Sequence, residues 1–408
     1  MTPTRRFWAL PALALTLVLG ACSTPDDLNA PVLEPQFGTA DEDIGARVVT
    51  VSTGRVYSLS EQYGPFYNLY GDEDGVYEKA LLRRYDGSGK LIWTKEITSS
   101  VCTYSSDCYR DSLSLRSLAT NSQGYIYALV SDSYVFDDSY TLIDYTLRKF
   151  DSSGNPVDSV DIGTNGYGFG YEGTEFADSV GIAVDGTGNA YIARINYDLT
   201  YDTNEPSGSY GNIVAKYAPS GSLLWQRIST VGKPYDITVS STGSIYVVGD
   251  KGLARYSNSG TLSWTKPGNF EEVVISGSNI YTRYRRDIFK FDGNGKQLWK
   301  RAQSGLTSPS FADMKGDGNG NVYLAGKYNA SSTNRDAFIR KLNSSGSVLW
   351  TRSYGTGAYD DALGIATING SEIYTTGSTQ GTLSHTNIGG SDGYLRKTNS
   401  SGTLVWTR

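Results

Sequence analysis

The sequence predicts an all-β chain folded as a seven-bladed β-propeller of four-stranded antiparallel blades, and three recurrences predict it. A Gly-x-x-x-Trp ending appears at Gly89/Trp93, Gly221/Trp225, Gly260/Trp264, Gly295/Trp299, Gly346/Trp350 and Gly402/Trp406. A tyrosine recurs seven times in a preceding apolar run, at Tyr57, Tyr127, Tyr191, Tyr246, Tyr281, Tyr323 and Tyr374. A basic residue recurs seven times just before the Gly turn, at Arg84, Lys149, Lys216, Arg255, Lys290, Lys341 and Lys397. Six of the seven tryptophans therefore occupy one repeat position, and the seventh, Trp8, lies in a leader. Four short strands per repeat, repeated around a ring, describe propeller blades. With 47 Gly and 31 Tyr but only 38% hydrophobic residues, the composition suits short strands and turns, and no convincing amphipathic helix follows the leader.

The chain begins with Arg5-Arg6 and a short apolar run, Phe7 to Leu19, too short to span a bilayer. The run ends Leu19-Gly20-Ala21-Cys22, which resembles the bacterial lipobox. That resemblance implies a signal peptide over residues 1–21, cleavage before Cys22 and lipidation of its thiol. Ser23 follows rather than Asp, which points to the outer membrane of a bacterial cell envelope. Residues 22–40, rich in Pro and Asp, read as a flexible tether, and residues 41–408 as the propeller. Two cysteines remain, Cys102 and Cys108, close together in a polar loop expected to join one blade to the next. In an oxidising envelope they read as a disulfide. A zinc site lacks partners, since His385 is the only histidine. The net charge is −6, and losing Arg5 and Arg6 with the leader makes it −8 (−6 − 2). That balance argues against nucleic acid and against adhesion to anionic lipid, leaving the lipid anchor as the route to a membrane.

Within each repeat an apolar first strand and a Gly turn lead to the tyrosine strand. The third strand carries the basic residue and the fourth the tryptophan. In Asn343-Ser-Ser-Gly346 the Asx residue and the glycine suit a tight turn. The repeat between residues 140 and 162 is degraded, with Gly154 followed by Asp158 where Trp is expected. Tyr and Trp are expected to pack between blades, and the basic residue to lay its stem over an aromatic with its charge in water. Phe37-Gly38-Thr39 matches Tyr354-Gly355-Thr356. The termini are thus expected to meet at one seam, with Val32–Phe37 beside the last blade and no strand exchanged within a blade.

Segments such as Asp185-Gly-Thr-Gly-Asn-Ala-Tyr191 and Asp336-Ala-Phe-Ile-Arg-Lys-Leu342 resemble the bacterial seven-bladed β-propeller (SBBP) repeat over roughly residues 41–408. Gly89-Lys-Leu-Ile-Trp93 and Gly295-Lys-Gln-Leu-Trp299 resemble, more weakly, the quinoprotein-type propeller repeat. Both resemblances imply the same architecture, and the count of seven favours the first.

Repeat length varies where the second strand meets the third, over residues 61–78, 132–144, 196–211, 328–335 and 378–392, which read as loops on one face. The first three are acidic and aromatic. Tyr67, Tyr70, Tyr134 and Tyr201 from them, with Arg283, Arg285 and Arg286 from the short fifth repeat, are the candidate partner-binding residues. Asp72-x-Asp74-Gly-x-x-Glu78 and Asp313…Asp317-x-Asn319 are calcium candidates without EF-hand spacing, and a hairpin turn explains the second equally well. No other cofactor and no catalytic residue is indicated. A Ser/His/Asp arrangement would need His385, which has no nucleophile motif near it. The expected function is therefore a lipid-anchored, non-catalytic envelope propeller that binds a protein or polysaccharide through one loop-rich face. One alternative is a scaffold similar to the lipoprotein propeller of outer-membrane assembly. The other is a hydrolase or lyase using carboxylates near the axis.

Overall fold

The computed structural model describes residues 42–51, 53–67, 73–103, 109–136, 140–168, 180–195, 197–198, 209–210 and 212–408. These form seven antiparallel four-stranded sheets arranged in a ring, with one additional two-stranded ribbon in blade three (Tyr197–Asp198 with Ser209–Tyr210). The blades span residues 42–103, 109–168, 180–228, 234–267, 272–302, 310–354 and 360–407.

Burial grades outward across each blade. In blade four the second strand (Ile245–Gly249) is buried throughout, while the fourth (Leu262–Pro267) is largely exposed. Blade three repeats this, with Ala190–Arg194 and Ile213–Tyr217 buried and Leu223–Ile228 exposed. Middle strands are covered by neighbouring blades on both faces, so their sequences run as apolar stretches instead of alternating. Outer strands are sheet edges in water and keep polar residues between the aliphatic ones.

The three recurrent residues form one cross-strand row. Tyr281 is opposite Lys290, and Lys290 is opposite Trp299. The same register holds in every blade, with Lys149 opposite Asp158 in blade two. Directly opposed side chains on one sheet face touch. The Tyr–Trp ring centroids are 5.8–6.4 Å apart, 5.8 Å in blade five and 6.4 Å in blade three. The cation lies over the tyrosine ring, at 5.2 Å for Lys216 and 5.4 Å for Lys290. Its charge does not end in water, as anticipated, but on the next blade. Lys290 Nζ donates to Ser344 O at 2.8 Å, Lys149 Nζ to Pro219 O at 2.8 Å and Arg255 to Gly293 O at 2.9 Å.

The tryptophan reaches the same neighbour. Trp299 Nε1 donates to Ser344 O at 3.1 Å, and its ring lies beneath the turn glycine of blade six. Trp225, Trp264 and Trp350 repeat the bond, donating to Asn258 O at 3.0 Å, Gly293 O at 3.2 Å and Ser400 O at 3.2 Å. Gly260, Gly295 and Gly402 cover their rings in turn. Gly346 has φ 81°, and a Cβ there would come 3.0 Å from the Trp299 ring. The glycine of the motif therefore serves the preceding blade's tryptophan as well as its own turn. Asn343 shapes the turn by accepting from Ser345 N at 3.0 Å and Ser347 N at 2.9 Å.

The expectation that these tryptophans are enclosed between blades needs correction. Trp93, Trp225, Trp264, Trp299 and Trp350 are only half-buried, and Trp406 alone is buried, at 8% exposure. Each stands on its blade's outermost strand, a sheet edge with no further strand to cover it. One side of the indole packs on the tyrosine and the next blade's glycine while the remainder meets water. The tryptophans are thus clasps on the rim of the ring, and the fully enclosed aromatics are tyrosines such as Tyr191, Tyr281 and Tyr323.

Ring closure uses this same junction. Lys397 Nζ and Trp406 Nε1 both donate to Gly87 O in blade one, at 2.8 and 3.4 Å, and Arg408 Nε donates to Gly89 O at 3.1 Å. Each blade takes its four strands from one continuous segment, so no strand is exchanged. Val32–Phe37 lie outside the described residues, as do the leader, Cys22 and the tether.

Two further sequence expectations are corrected. The stretches read as loops in blades one and two are strand. Blade one pairs Val56–Tyr67 with Glu73–Tyr85, from Val56↔Tyr85 up to Tyr67↔Glu73. Blade two pairs Ile126–Phe136 with Tyr140–Phe150. Their added length suggested loops, but aromatic and β-branched residues continue the hairpin ladder. Likewise Cys102 lies on blade one's fourth strand, opposite Val76, and not in a connection between blades. Cys108, its expected partner, lies outside the described residues.

Blade two's missing tryptophan is partly replaced. Val160 fills the space beneath the next turn, against the position a Cβ on Gly221 would take, with Asp158 Oδ2 beside it at 3.2 Å. A valine covers less area than an indole, so this junction is the weaker one. Trp299→Ala should cost about 2–3 kcal/mol, below the value for a fully buried Trp because this one is half-exposed. Asp158→Ala should be near neutral. Urea melts of both variants test this, and amide exchange in Tyr140–Phe150 should be faster than in the equivalent Arg335–Leu342. Equal protection in the two strands would refute the ranking.

Candidate binding face and axial channel

The first strands of all seven blades line an axial cavity of about 450 Å³. One position is equivalent around the ring, two residues beyond the repeat tyrosine on the partner strand. It holds Arg47, Ser117, Gly181, Asp236, Glu272, Asp313 and Gly364. Three successive blades thus present a carboxylate to the channel. Each reaches the next blade's first strand. Asp236 Oδ2 accepts from Val273 N at 2.9 Å, Glu272 Oε1 accepts from Met314 N, and Asp313 Oδ2 accepts from Ile365 N at 2.7 Å. The remaining oxygens are used as well. Asp236 Oδ1 accepts from Ile237 N at 2.8 Å, Asp313 Oδ1 from Met314 N at 2.9 Å, and Glu272 Oε2 from Arg283 Nε at 3.0 Å. Backbone N–H groups on an innermost strand have no further strand to pair with, and these acids satisfy them.

Burial raises the Asp236 carboxyl to about 6 against the pull of two backbone N–H groups and Lys315. Burial also raises Glu272, opposed by Arg283 and reinforced by Asp313. A glycosidase pair would need carboxyl oxygens directed at a substrate. Here all six oxygens already accept hydrogen bonds from the protein.

Arg283, expected at a partner surface, lines this channel and is buried, paired with Glu271 at 2.6 Å and Glu272 at 3.0 Å. Arg285 and Arg286 occupy the exposed hairpin turn of blade five, with Arg285 at φ 52° and over the Tyr284 ring at 5.3 Å. Tyr67 lies on blade one's second strand opposite Glu73, and Tyr134 on blade two's opposite Leu142. Tyr70 and Tyr201 lie outside the described residues. Of the calcium candidates, Asp72 lies outside too. Asp317 is the turn acid of blade six, with Oδ1 accepting from Asn319 N and Asn321 N. Asp313 belongs to the channel, so the second candidate is two separate features.

Sequence reading missed the channel acids as a set. Their only linear signal is an acid nine or ten residues before the repeat tyrosine in three blades.

Strand length sets the relief of the face where second strands pass to third. In blade one these strands have 12 and 13 residues, whereas in blade four they have 5 each. At about 3.3 Å per residue the tall hairpin extends roughly 20 Å further. Blades one and two therefore form a wall, and blades four and five a low sector.

No protein family and no curated protein matches the chain. Among solved structures it is similar to the WD40 β-propeller domain of Doa1, at 12% identity over 84% of this chain and 91% of that one, TM-score 0.46. A protein of unknown function from Bacteroides caccae is similar at 10% identity, over 67% and 89%, TM-score 0.42. Saccharomyces cerevisiae Sqt1 is similar at 8% identity, over 89% and 98%, TM-score 0.44. At such identities the likeness is one of fold alone.

The channel acids have a pH signature. A carboxyl raised in the folded state binds more protons there than in the unfolded chain, so stability falls as pH rises from about 4 to about 6 for Asp236, and further for Glu272. Asp185 behaves oppositely. Despite burial, bonds from Asn189, Thr187 and Tyr191 hold it at about 2, so its contribution is complete above pH 4 and lost below. Urea midpoints should therefore decline between pH 4.5 and 7, and Asp236→Asn should flatten the slope. An unchanged slope would show that Asp236 is not the titrating group.

Proposed function

We propose that this chain is a non-catalytic binding scaffold that holds a protein or polysaccharide partner on its uneven face. The one-sided growth of blades one and two carries this reading, because extra strand length costs ordering entropy and is absent from blades four and five. Two tall hairpins beside a low sector make a step against which a partner can be seated. The sequence of the wall suits recognition, being rich in tyrosine and acid and poor in Lys and Arg. Arg285 and Arg286 lie exposed in the low sector, where they can steer an acidic group on the partner. Arg283 has no part in this role. The likeness to the SBBP repeat and the lipobox-like Leu19-Gly20-Ala21-Cys22 complete the proposal, with a lipid on Cys22 and a station at the bacterial outer membrane. A protein partner would make it a scaffold of the outer-membrane-assembly kind.

Replacing Tyr67, Tyr70, Tyr134 and Tyr201 by Ala should abolish binding on glycan arrays or in envelope pull-downs, with under about 0.5 kcal/mol lost per position. Reversing charge at Arg285 and Arg286 should slow association and alter its salt dependence. Normal binding by the tyrosine variant would defeat this reading. Hydrolysis or elimination of an envelope polysaccharide, lost in Glu272→Gln, would replace it with the enzyme.

The anchor has its own test. Cys22→Ala should leave the membrane fraction with an unchanged melting midpoint, and thiol labelling of the unreduced protein should find neither Cys102 nor Cys108 free. Two reactive thiols would overturn the disulfide.

A further inference from the structure

We propose that the axial channel binds a small dicarboxylate on the side of blades one to three, held by Arg47 and by the backbone N–H groups of Val48, Leu118 and Ile182. The opposite side shows what such a position accepts. Val273, Met314 and Ile365 each follow the axial residue of their own first strand, and each donates its N–H to an acid of the preceding blade. Those N–H groups therefore point into the channel and away from their own second strand. Val48, Leu118, Ile182 and Ile237 stand at the same register, one residue before the partner of the repeat tyrosine. In blades one, two, four, six and seven a bulge lies directly ahead of the axial residue, so the local backbone geometry is shared as well.

Blades one to three receive no such acid. The axial residue of the preceding blade is Gly364 for Val48, Arg47 for Leu118 and Ser117 for Ile182. Glycine has no side chain, arginine is itself a donor, and serine is one bond shorter than aspartate. Ile237 also follows a blade without an axial acid, but Asp236 of its own strand accepts from it through Oδ1 at 2.8 Å. Val48, Leu118 and Ile182 are buried, at 4, 7 and 7% exposure, and a buried N–H needs an acceptor. All three line the same cavity of about 450 Å³ as Arg47 and Ser117, so one ligand entering it can reach them.

The protein's own acids give the chemistry and the spacing of that ligand. Asp236 accepts from Ile237 N at 2.8 Å and from Val273 N at 2.9 Å. Asp313 accepts from Met314 N at 2.9 Å and from Ile365 N at 2.7 Å. A single carboxylate thus spans the inner N–H groups of two adjacent blades. By the same spacing one carboxylate of a ligand can bridge Val48 N and Leu118 N, and a second can take Ile182 N with the Ser117 hydroxyl. Arg47 supplies the opposite charge, and bonds from a guanidinium to a carboxylate are strengthened by it. The cavity lies within the range of small-molecule sites, roughly 300–1,000 Å³. The acids across the channel are compensated. Arg283 pairs with Glu271 at 2.6 Å and Glu272 at 3.0 Å, and the charge of Lys315 acts on Asp236. This site does not depend on the uneven face binding a partner.

Calorimetric and thermal-shift titrations of the full-length protein with sodium succinate, glutarate and acetate test this. Succinate or glutarate should bind with Kd of about 1 mM or tighter and raise the melting temperature. Acetate should bind at least about tenfold more weakly, because it fills only part of the row. Arg47→Gln should weaken dicarboxylate binding at least about tenfold. Ser117→Asp gives blade two the acid that blades four and six carry, so it should abolish binding and, without ligand, melt above the wild type. If Ser117→Asp does not fold, Arg47→Gln decides alone. Absence of heat and thermal shift up to about 10 mM succinate and glutarate would overturn the site. So would dicarboxylate binding undiminished in both variants. A thermal shift that sodium sulfate at equal ionic strength reproduces in wild type and variants alike would overturn it too, since it marks salt exclusion from the surface.

Discussion

The ring depends on one repeated junction, in which a blade's tyrosine, cation and tryptophan stand in a row and grip the next blade's turn. A propeller blade shares no sheet ladder with its neighbour. What joins Lys290 and Trp299 to Ser344, or Lys397 and Trp406 to Gly87, is one carbonyl receiving two side-chain donors. The lysine bond is charge-assisted and shielded by the tyrosine beneath it, so it is worth more than a surface contact. Because the junction is local, it closes the ring as readily between the last blade and the first as anywhere else.

The axial acids form a second, inner fastening over part of the circle. Asp236, Glu272 and Asp313 each tie a first strand to the next, from blade four to blade seven. Those blades have few residues above the ring in which to place other contacts. Blades one and two have much longer ladders and no carboxylate at the equivalent position, where Arg47 and Ser117 stand. The tall hairpins of blades one and two thus stand apart from the sector that the acids clasp.

A row of carboxylates in a propeller channel invites a catalytic interpretation, and each of their oxygens already accepts a hydrogen bond from the protein. Desolvation shifts both Asp236 and Glu272 upward, as it would in an active site, yet their oxygens are already occupied by backbone N–H and Arg283.

From the sequence alone came the all-β class, the seven blades, the turn glycines and the strand position of each repeat tryptophan, because packing between identical units forces the same residue types to recur at the same spacing. The irregular blade was legible for the same reason, since Asp158 stands where the others have Trp. Tertiary structure alone decided where the lysine charges end and that Trp225, Trp264 and Trp350 clasp the rim half-exposed. It also decided that Val160 stands in for an indole and that residues 61–67 and 73–78 continue a ladder. Hairpin pairing there depends on a partner strand, which no local composition reveals. The ties that the channel acids make were equally hidden. Each unites residues from different blades, and only ring geometry brings such residues within a hydrogen bond of one another.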